Sequence, residues 1–357
     1  MRIAFTTLGC RLNQFETDLM AGQVRAAGFL PVAFTESADV YVINTCTVTE
    51  RADAEARRLI RQAVRRNPFA LVAVTGCYAQ ASPERIAAIE GVDLILGNAE
   101  KYDLIRHLRD FGWGDGSAGW GQEGVPAIRV GEVGRQRSFQ AAPAPDRPDR
   151  SRPFLKVQDG CNFACTFCII PAVRGPNRSL PPEDAVTEAR RLMAAGYSEI
   201  VLTGVNLGTY GFDLTPRVSL TDLLKRLLEA ADGARFRLSS LHPHEVTPEL
   251  IRLMAESPAL CRHVHLALQS GGDDILRAMR RSYRSRHFRE VVERLAGTVP
   301  GVAIGADVIV GFPGETEAAF RNTRDLIATT PVSYAHVFTY SRRSGTSAAD
   351  MAGQVAP

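Results

Sequence analysis

The sequence predicts an α/β protein in two parts, an N-terminal parallel-sheet domain over residues 1–110 and a partial (β/α)6 barrel over residues 153–345. Three observations carry this. Short apolar runs alternate with amphipathic helical stretches in both parts, the pattern of parallel β-α units. The alternation lapses over residues 111–152, where glycines dominate Gly112–Gly124 and Ala141-Ala-Pro-Ala-Pro-Asp-Arg-Pro148 follows, the composition of an exposed linker. In the second part small and polar residues recur after nearly every strand, which suits a partial barrel better than an open sheet. With 357 residues and 45% hydrophobic content, the chain is long enough to bury two cores.

The elements follow in order. Ile3–Thr7 is a short apolar strand, Leu19–Gly28 a helix ending at a glycine, and Asp39–Asn44 a second strand. Glu55–Arg66 is a helix stopped by Asn67-Pro68 and Ala70–Thr75 a third strand; Pro83–Gly91 is another helix and Val92–Leu96 a fourth strand. Ala127–Val130 is strand-like within the linker. The second part offers six strands, Phe154–Val157, Glu199–Thr203, Arg235–Ser239, His263–Leu268, Ala303–Val310 and Ala335–Tyr340. Amphipathic helices such as Pro182–Ala195 and Leu220–Ala231 separate them. Residues 346–357 begin a C-terminal connector.

Composition excludes several classes. No run resembles a membrane span, and the N-terminal apolar stretch breaks at Gly9, too early for a signal peptide, so a cytoplasmic protein is expected. An odd count of seven cysteines argues against a disulfide framework; Cys261, without a cysteine nearby, reads as a small buried hydrophobe. The net charge of +3 demands no nucleic acid, yet of 42 basic residues only Lys101, Lys156 and Lys225 are lysine. Arg277, Arg280, Arg281, Arg284 and Arg286 crowd around Tyr283, His287 and Phe288, a mix suited to RNA phosphates and stacked bases, or equally to a solvated helix face.

The chemistry concentrates in cysteines. Cys161-Asn-Phe-Ala-Cys165-Thr-Phe-Cys168 offers three closely spaced thiols where a cuboidal cluster wants four, which leaves one iron to something other than cysteine. A zinc knuckle would need a fourth thiol or imidazole in register, and no histidine follows. Cys10, Cys46 and Cys77 each lie just past the carboxyl end of one of the first three strands, the usual ligand crevice of an open parallel sheet, so three distant cysteines meet in space. At the ends of later strands stand Thr203, Gly204 and Asn206, then Ser239, then Gln269, then Asp307 and Gly311, where small residues admit a flat nucleoside and polar ones hold it. Two His-x-His pairs, His242/His244 and His263/His265, suit a metal-dependent hydrolase, a reading that leaves the two cysteine triplets unexplained.

Thr7-Leu-Gly-Cys10-Arg-Leu-Asn13-Gln14-Phe-Glu16-Thr17, Asn44-Thr-Cys46, Thr75-Gly-Cys77-Tyr-Ala-Gln80, Gln158-Asp-Gly-Cys161 through Cys168-Ile-Ile-Pro171 and Leu202-Thr-Gly-Val-Asn206 together resemble the radical S-adenosylmethionine methylthiotransferases. The N-terminal motif looks most like the branch acting on threonylcarbamoyladenosine at tRNA position 37. Its siblings act on isopentenyladenosine-37 or on an aspartate of a ribosomal protein. The resemblance implies two 4Fe-4S clusters, an auxiliary one on Cys10, Cys46 and Cys77 and a radical-generating one on Cys161, Cys165 and Cys168. It also implies S-adenosylmethionine as cofactor, the tRNA anticodon stem-loop as partner, a flavodoxin or ferredoxin as electron donor, and a sulfur donor. A non-catalytic iron-sulfur electron carrier is the alternative from another class. Family members continue into a small RNA-binding TRAM barrel, expected to be absent from this chain. A carboxylate-bearing substrate would call for arginine near the adenine, and Arg174 and Arg178 follow the cluster loop.

Overall fold

Val40-Tyr-Val-Ile-Asn-Thr45 and Leu71-Val-Ala-Val-Thr-Gly76 are buried at every position, as strands covered on both faces of a parallel sheet must be. The computed structural model describes residues 1–110, 125–141, 143 and 150–355, so most of the expected linker lies outside the described residues. The chain forms two compact units.

The first comprises the described parts of Met1–Gln136 and Gln140–Arg147 together with Ile169–Pro176. Its strands are β1 (Arg2–Thr7), β2 (Leu30–Ala33), β3 (Val40–Thr45), β4 (Leu71–Gly76), β5 (Leu94–Leu96) and β6 (Ala127–Arg129). Its helices are α1 (Arg11–Ala26), α2 (Glu50–Arg66), α3 (Cys77–Ala81), α4 (Pro83–Ala87), α5 (Leu104–Asp110) and α6 (Ile170–Arg174). The sheet runs β2-β1-β3-β4-β5-β6, all parallel. Alternate residues feed opposite layers: Ala4, Tyr41, Ile43, Val72 and Val74 pack with Ala56, Ile60 and Ala63 of α2. Ile3, Val40, Val42, Leu71 and Ala73 pack with Met20 and Val24 of α1 and Leu104 and Leu108 of α5. α2 starts where Thr49 accepts the Ala52 N–H at 3.1 Å, with Glu50 and Asp53 in its first turn and Arg65 and Arg66 in its last.

Several boundaries differ from the sequence reading, among them that of α2, which begins at Glu50 rather than Glu55. α1 begins at Arg11 rather than Leu19, because Asn13, Glu16 and Thr17 are buried on the same face as Leu12 and Phe15 and interrupt its apolar period. α4 stops at Ala87, short of Gly91. β2 is an edge strand containing Pro31, too short and too irregular to stand out.

The second unit holds the rest of the described chain. β7 (Phe154–Lys156) leads to an antiparallel pair, β8 (Gln158–Asp159) with β9 (Arg178–Ser179). Then come α7 (Pro182–Ala194), β10 (Glu199–Thr203), α8 (Leu220–Glu229), β11 (Arg235–Leu238), β12 (Ser240–Leu241) and α9 (Pro248–Glu256). They are followed by β13 (His263–Gln269), α10 (Asp273–Ala278), α11 (Ser285–Thr298), β14 (Ala303–Val310), α12 (Glu317–Ala328) and β15 (Tyr334–Thr339). All six expected strands form, the third breaking at Ser239 into β11 and β12. The break divides the parallel strands into sheets β11-β10-β7 and β12-β13-β14-β15, and among the described residues no closed barrel forms.

Candidate functional site

In the first unit Cys46 and Cys77 directly follow β3 and β4 and Cys10 comes just past β1, three neighbours in the sheet, so the cysteines stand at the carboxyl ends of adjacent strands. Close approach is built in. A Cβ on Gly9, at φ +99°, would stand 2.7 Å from Cys46 Cβ and 3.0 Å from its sulfur, and one on Gly76, at φ +97°, 2.4 Å from the Thr45 carbonyl. The Val48 N–H reaches Cys46 Sγ at 3.4 Å and the Asn98 amide Cys77 Sγ at 3.8 Å, the kind of contact that steadies cluster sulfurs. Burial first, and Cys77 second, push the Cys46 thiol up to about 12, so binding a metal here must displace its proton. The donor set fits an iron-sulfur cluster with one iron left to another ligand.

Behind the thiols lies a buried ion network. Arg174 grips Glu16 through two nitrogens at 2.9 and 3.0 Å and Asn13 at 2.6 Å, while Lys101 meets Glu16 at 2.5 Å and Asn98 at 2.7 Å. Arg174 is only 2% exposed. In the second unit Arg178 is buried beside Asp159 at 3.5 Å. The two arginines considered for a substrate carboxylate are therefore engaged inside their units instead of standing on a rim.

In the second unit the Cys161–Cys168 loop leaves β8 through Gly160, at φ 71°. Cys161 Sγ accepts the Phe163 N–H at 3.5 Å, Arg281 donates to Cys165 Sγ at 3.0 Å, and the Thr166 hydroxyl holds the Ala278 carbonyl at 2.9 Å. All three cysteines are half-buried, and burial pushes the Cys161 thiol up to about 11. Phe163 stacks edge-on against His242 and Phe167 against Phe312, shielding the loop. Gln158 ties it to the next strand, donating to the Gly160 carbonyl at 2.6 Å and accepting the Asn206 N–H at 2.9 Å.

Beyond the loop, polar atoms stand ready for a ligand. The Ser239 hydroxyl is buried with no hydrogen-bond partner among the described residues, and the buried side-chain amide of Asn206 interacts with the Glu245 carboxyl. Glu245 accepts the His242 N–H at 2.8 Å, and burial pushes its carboxyl up to about 7; burial, then Arg281, pulls His242 down to about 2, so that imidazole is neutral. Buried polar groups of this kind suit a ligand bearing an ammonium, a carboxylate and hydroxyls, which S-adenosylmethionine does. Sequence reasoning listed Asn206 and Ser239 but missed Glu245; an acid three residues past His242 carried no signal until folding buried it.

The remaining residues expected to hold the nucleoside lie on or just past β10, β13 and β14. Thr203 ends β10 and Gly204 follows it beside Gln158, Gln269 ends β13 in the left-handed region at φ 67°, and Gly311 follows β14 at φ 74°. Asp307, mid-strand in β14, sits between His265 and His336. Arg277, Arg280, Arg284 and Arg286 are exposed, whereas Arg281 serves Cys165 and the Tyr283 hydroxyl. Tyr283 and Phe288 are core residues, so their rings are not open to a stacked base.

Residues 2–97 match the family model described as uncharacterized protein family UPF0004, and residues 155–327 that of the radical SAM superfamily. The chain is 41% identical over 354 residues to the threonylcarbamoyladenosine tRNA methylthiotransferase MtaB of Bacillus subtilis, covering 99% of this chain and 76% of that one. It belongs to the radical S-adenosylmethionine methylthiotransferases. The Aquifex aeolicus protein of the same name shares 41% over 98% of this methylthiotransferase and 83% of its own length. The tRNA-2-methylthio-N(6)-dimethylallyladenosine synthase of Moorella thermoacetica shares 36% over 98% and 78%. Among solved structures, the radical S-adenosylmethionine methyltransferase TsrM of Kitasatospora setae shares the fold, with a TM-score of 0.66, 16% identity and coverage of 98% and 77%. As a family member the chain is a transferase using S-adenosylmethionine and a 4Fe-4S cluster.

Proposed function

We propose that this methylthiotransferase acts on tRNA, converting N6-threonylcarbamoyladenosine at position 37 to its 2-methylthio derivative. The carrying observation is the pair of cysteine triads, each in its own unit and each supported locally for a cluster with one open iron. Support for the substrate comes from the relatives: those named for threonylcarbamoyladenosine reach 41% identity and one named for dimethylallyladenosine 36%, across nearly the whole chain. Cys161, Cys165 and Cys168 would hold the radical-generating cluster, and Cys10, Cys46 and Cys77 an auxiliary one. When bound, the first cluster supplies the electron that cleaves S-adenosylmethionine, and the auxiliary cluster presents sulfur.

The chain's own residues then bind and orient. Asn206, Ser239 and Glu245 would take the polar groups of S-adenosylmethionine, with Thr203, Gly204, Gln269 and Gly311 around the nucleoside. Arg281 holds the cluster loop through Cys165. The exposed Arg277, Arg280, Arg284 and Arg286 are available to RNA phosphates. A flavodoxin or ferredoxin and a separate sulfur donor complete the reaction, in the cytoplasm; among the described residues no helix is long and apolar enough to cross a membrane.

The test incubates the reduced enzyme with S-adenosylmethionine, sulfide and two anticodon stem-loops, one carrying threonylcarbamoyladenosine and one isopentenyladenosine. Methylthio product on the first is expected; product on the second alone would overturn the substrate while leaving the cluster chemistry standing.

A further inference from the structure

The second unit carries a group of side chains that the clusters do not explain, one of which, Asp307, the sequence also placed among the nucleoside-holding candidates. His265 of β13, Asp307 of β14 and His336 of β15 come from three adjacent parallel strands, Asp307 lying directly opposite His336 in the register. His265 Nε2 is 2.9 Å and His336 Nδ1 3.4 Å from the same oxygen of Asp307, and the three ligand atoms all lie within 4.8 Å of one another. Ligands about 2.0–2.2 Å from a shared ion stand roughly 3 Å from each other, so the two separations to Asp307 fall in the range of a coordination shell, and the ligand nitrogens of the two imidazoles lie within 4.8 Å of each other.

A supporting layer is in place as well. Nδ1 of His265 meets the Tyr334 hydroxyl at 3.2 Å, and that hydroxyl meets His263 Nε2 at 2.8 Å. This occupies the far nitrogen of His265 and turns Nε2 toward Asp307, the arrangement by which metal-binding imidazoles are held in one tautomer. Gly305 makes room for it. A Cβ there would lie 2.3 Å from the Tyr334 ring and 2.7 Å from His265 Nδ1, so any other residue would push the two apart. His265 is buried, Asp307 half-buried and His336 exposed, leaving one side of the group open to an incoming ion.

We propose that His265, Asp307 and His336 form a binding site for a divalent transition-metal ion such as zinc or ferrous iron, separate from both cysteine triads. Two imidazoles and one carboxylate with open positions are a donor set for these ions. The site lies mid-strand on β13–β15, whereas Asn206, Ser239 and Glu245 sit beyond the ends of β10, β11 and β12.

The experiment is equilibrium dialysis of the cluster-loaded enzyme against zinc chloride, with zinc and iron counted together, on the natural protein, on His336→Ala and on Asp307→Asn. His336 is exposed, so its removal does not threaten the fold. The expected result is about one zinc per chain with iron undiminished, and affinity weakened at least about ten-fold in both variants. Equal zinc uptake by the natural protein and His336→Ala, or zinc entering only as iron leaves, would overturn the site and return these residues to a hydrogen-bonded network.

Discussion

Gly9 shows how a single residue can decide whether a cysteine triad closes. Its φ of +99° is one that side-chain-bearing residues rarely adopt, and the Cβ it lacks would collide with Cys46 at 2.7 Å. Gly9→Ala should therefore push Cys10 and Cys46 apart. Iron in the reconstituted protein is expected to fall from about eight atoms per chain toward about four, with S-adenosylmethionine cleavage retained. Full iron in this variant would show that the loop adapts. At this scale the sequence was most informative about cysteines, because each of Cys10, Cys46 and Cys77 stands just past the end of a strand that is itself legible. It was least informative where partners are far apart. Arg281 and Cys165 are separated by 116 residues, and His265, Asp307 and His336 are joined only by strand register, which no local spacing encodes.

Elements are held by contacts that periodicity does not show. Glu199 opens β10 with its side chain 8% exposed, and it draws in Arg237 at 2.7 Å, Arg235 at 3.2 Å and Arg152 at 3.4 Å. Arg152 and Arg235 are more than half exposed and add little, while Arg237, at 21% exposure, ties β11 to β10. Its hydrogen bond is the main cause holding the Glu199 carboxyl below its ordinary 4.5. A carboxyl lowered by folding contributes stability that is present above the unfolded value and lost as pH falls through and below about 4.5. Glu199→Gln should accordingly cost on the order of 1–3 kcal/mol at pH 7 and much less at pH 3, read from urea unfolding by circular dichroism. A difference independent of pH would assign the loss to packing. The strand list was readable because parallel strands are apolar throughout, as in β3 and β4. α1 hid its first two turns because a buried ion network requires Asn13 and Glu16 where the helical period expects apolar residues.

The whole molecule divides its chemistry between two units with separate cores, and the first takes in Ile169–Pro176, which the sequence reading set in the second part. The first unit's core is a sheet packed on both faces by its own helices. The second has its own interior around Ile275, Met279, Phe312 and Ala319, against which Phe167 of the cysteine loop packs. Each triad therefore has independent support. Replacing Cys161, Cys165 and Cys168 together by Ala removes three half-buried thiols while leaving Gln158, Thr166 and Phe167 to hold the loop. The variant should fold, retain about half the iron and lose S-adenosylmethionine cleavage completely, since only this triad lies on the unit that carries Asn206, Ser239 and Glu245. Iron and cleavage are read on the same sample, so the two assignments are tested apart. Loss of all iron would mean that the triads form one site, and cleavage surviving in the variant would mean that the cofactor works elsewhere in the chain.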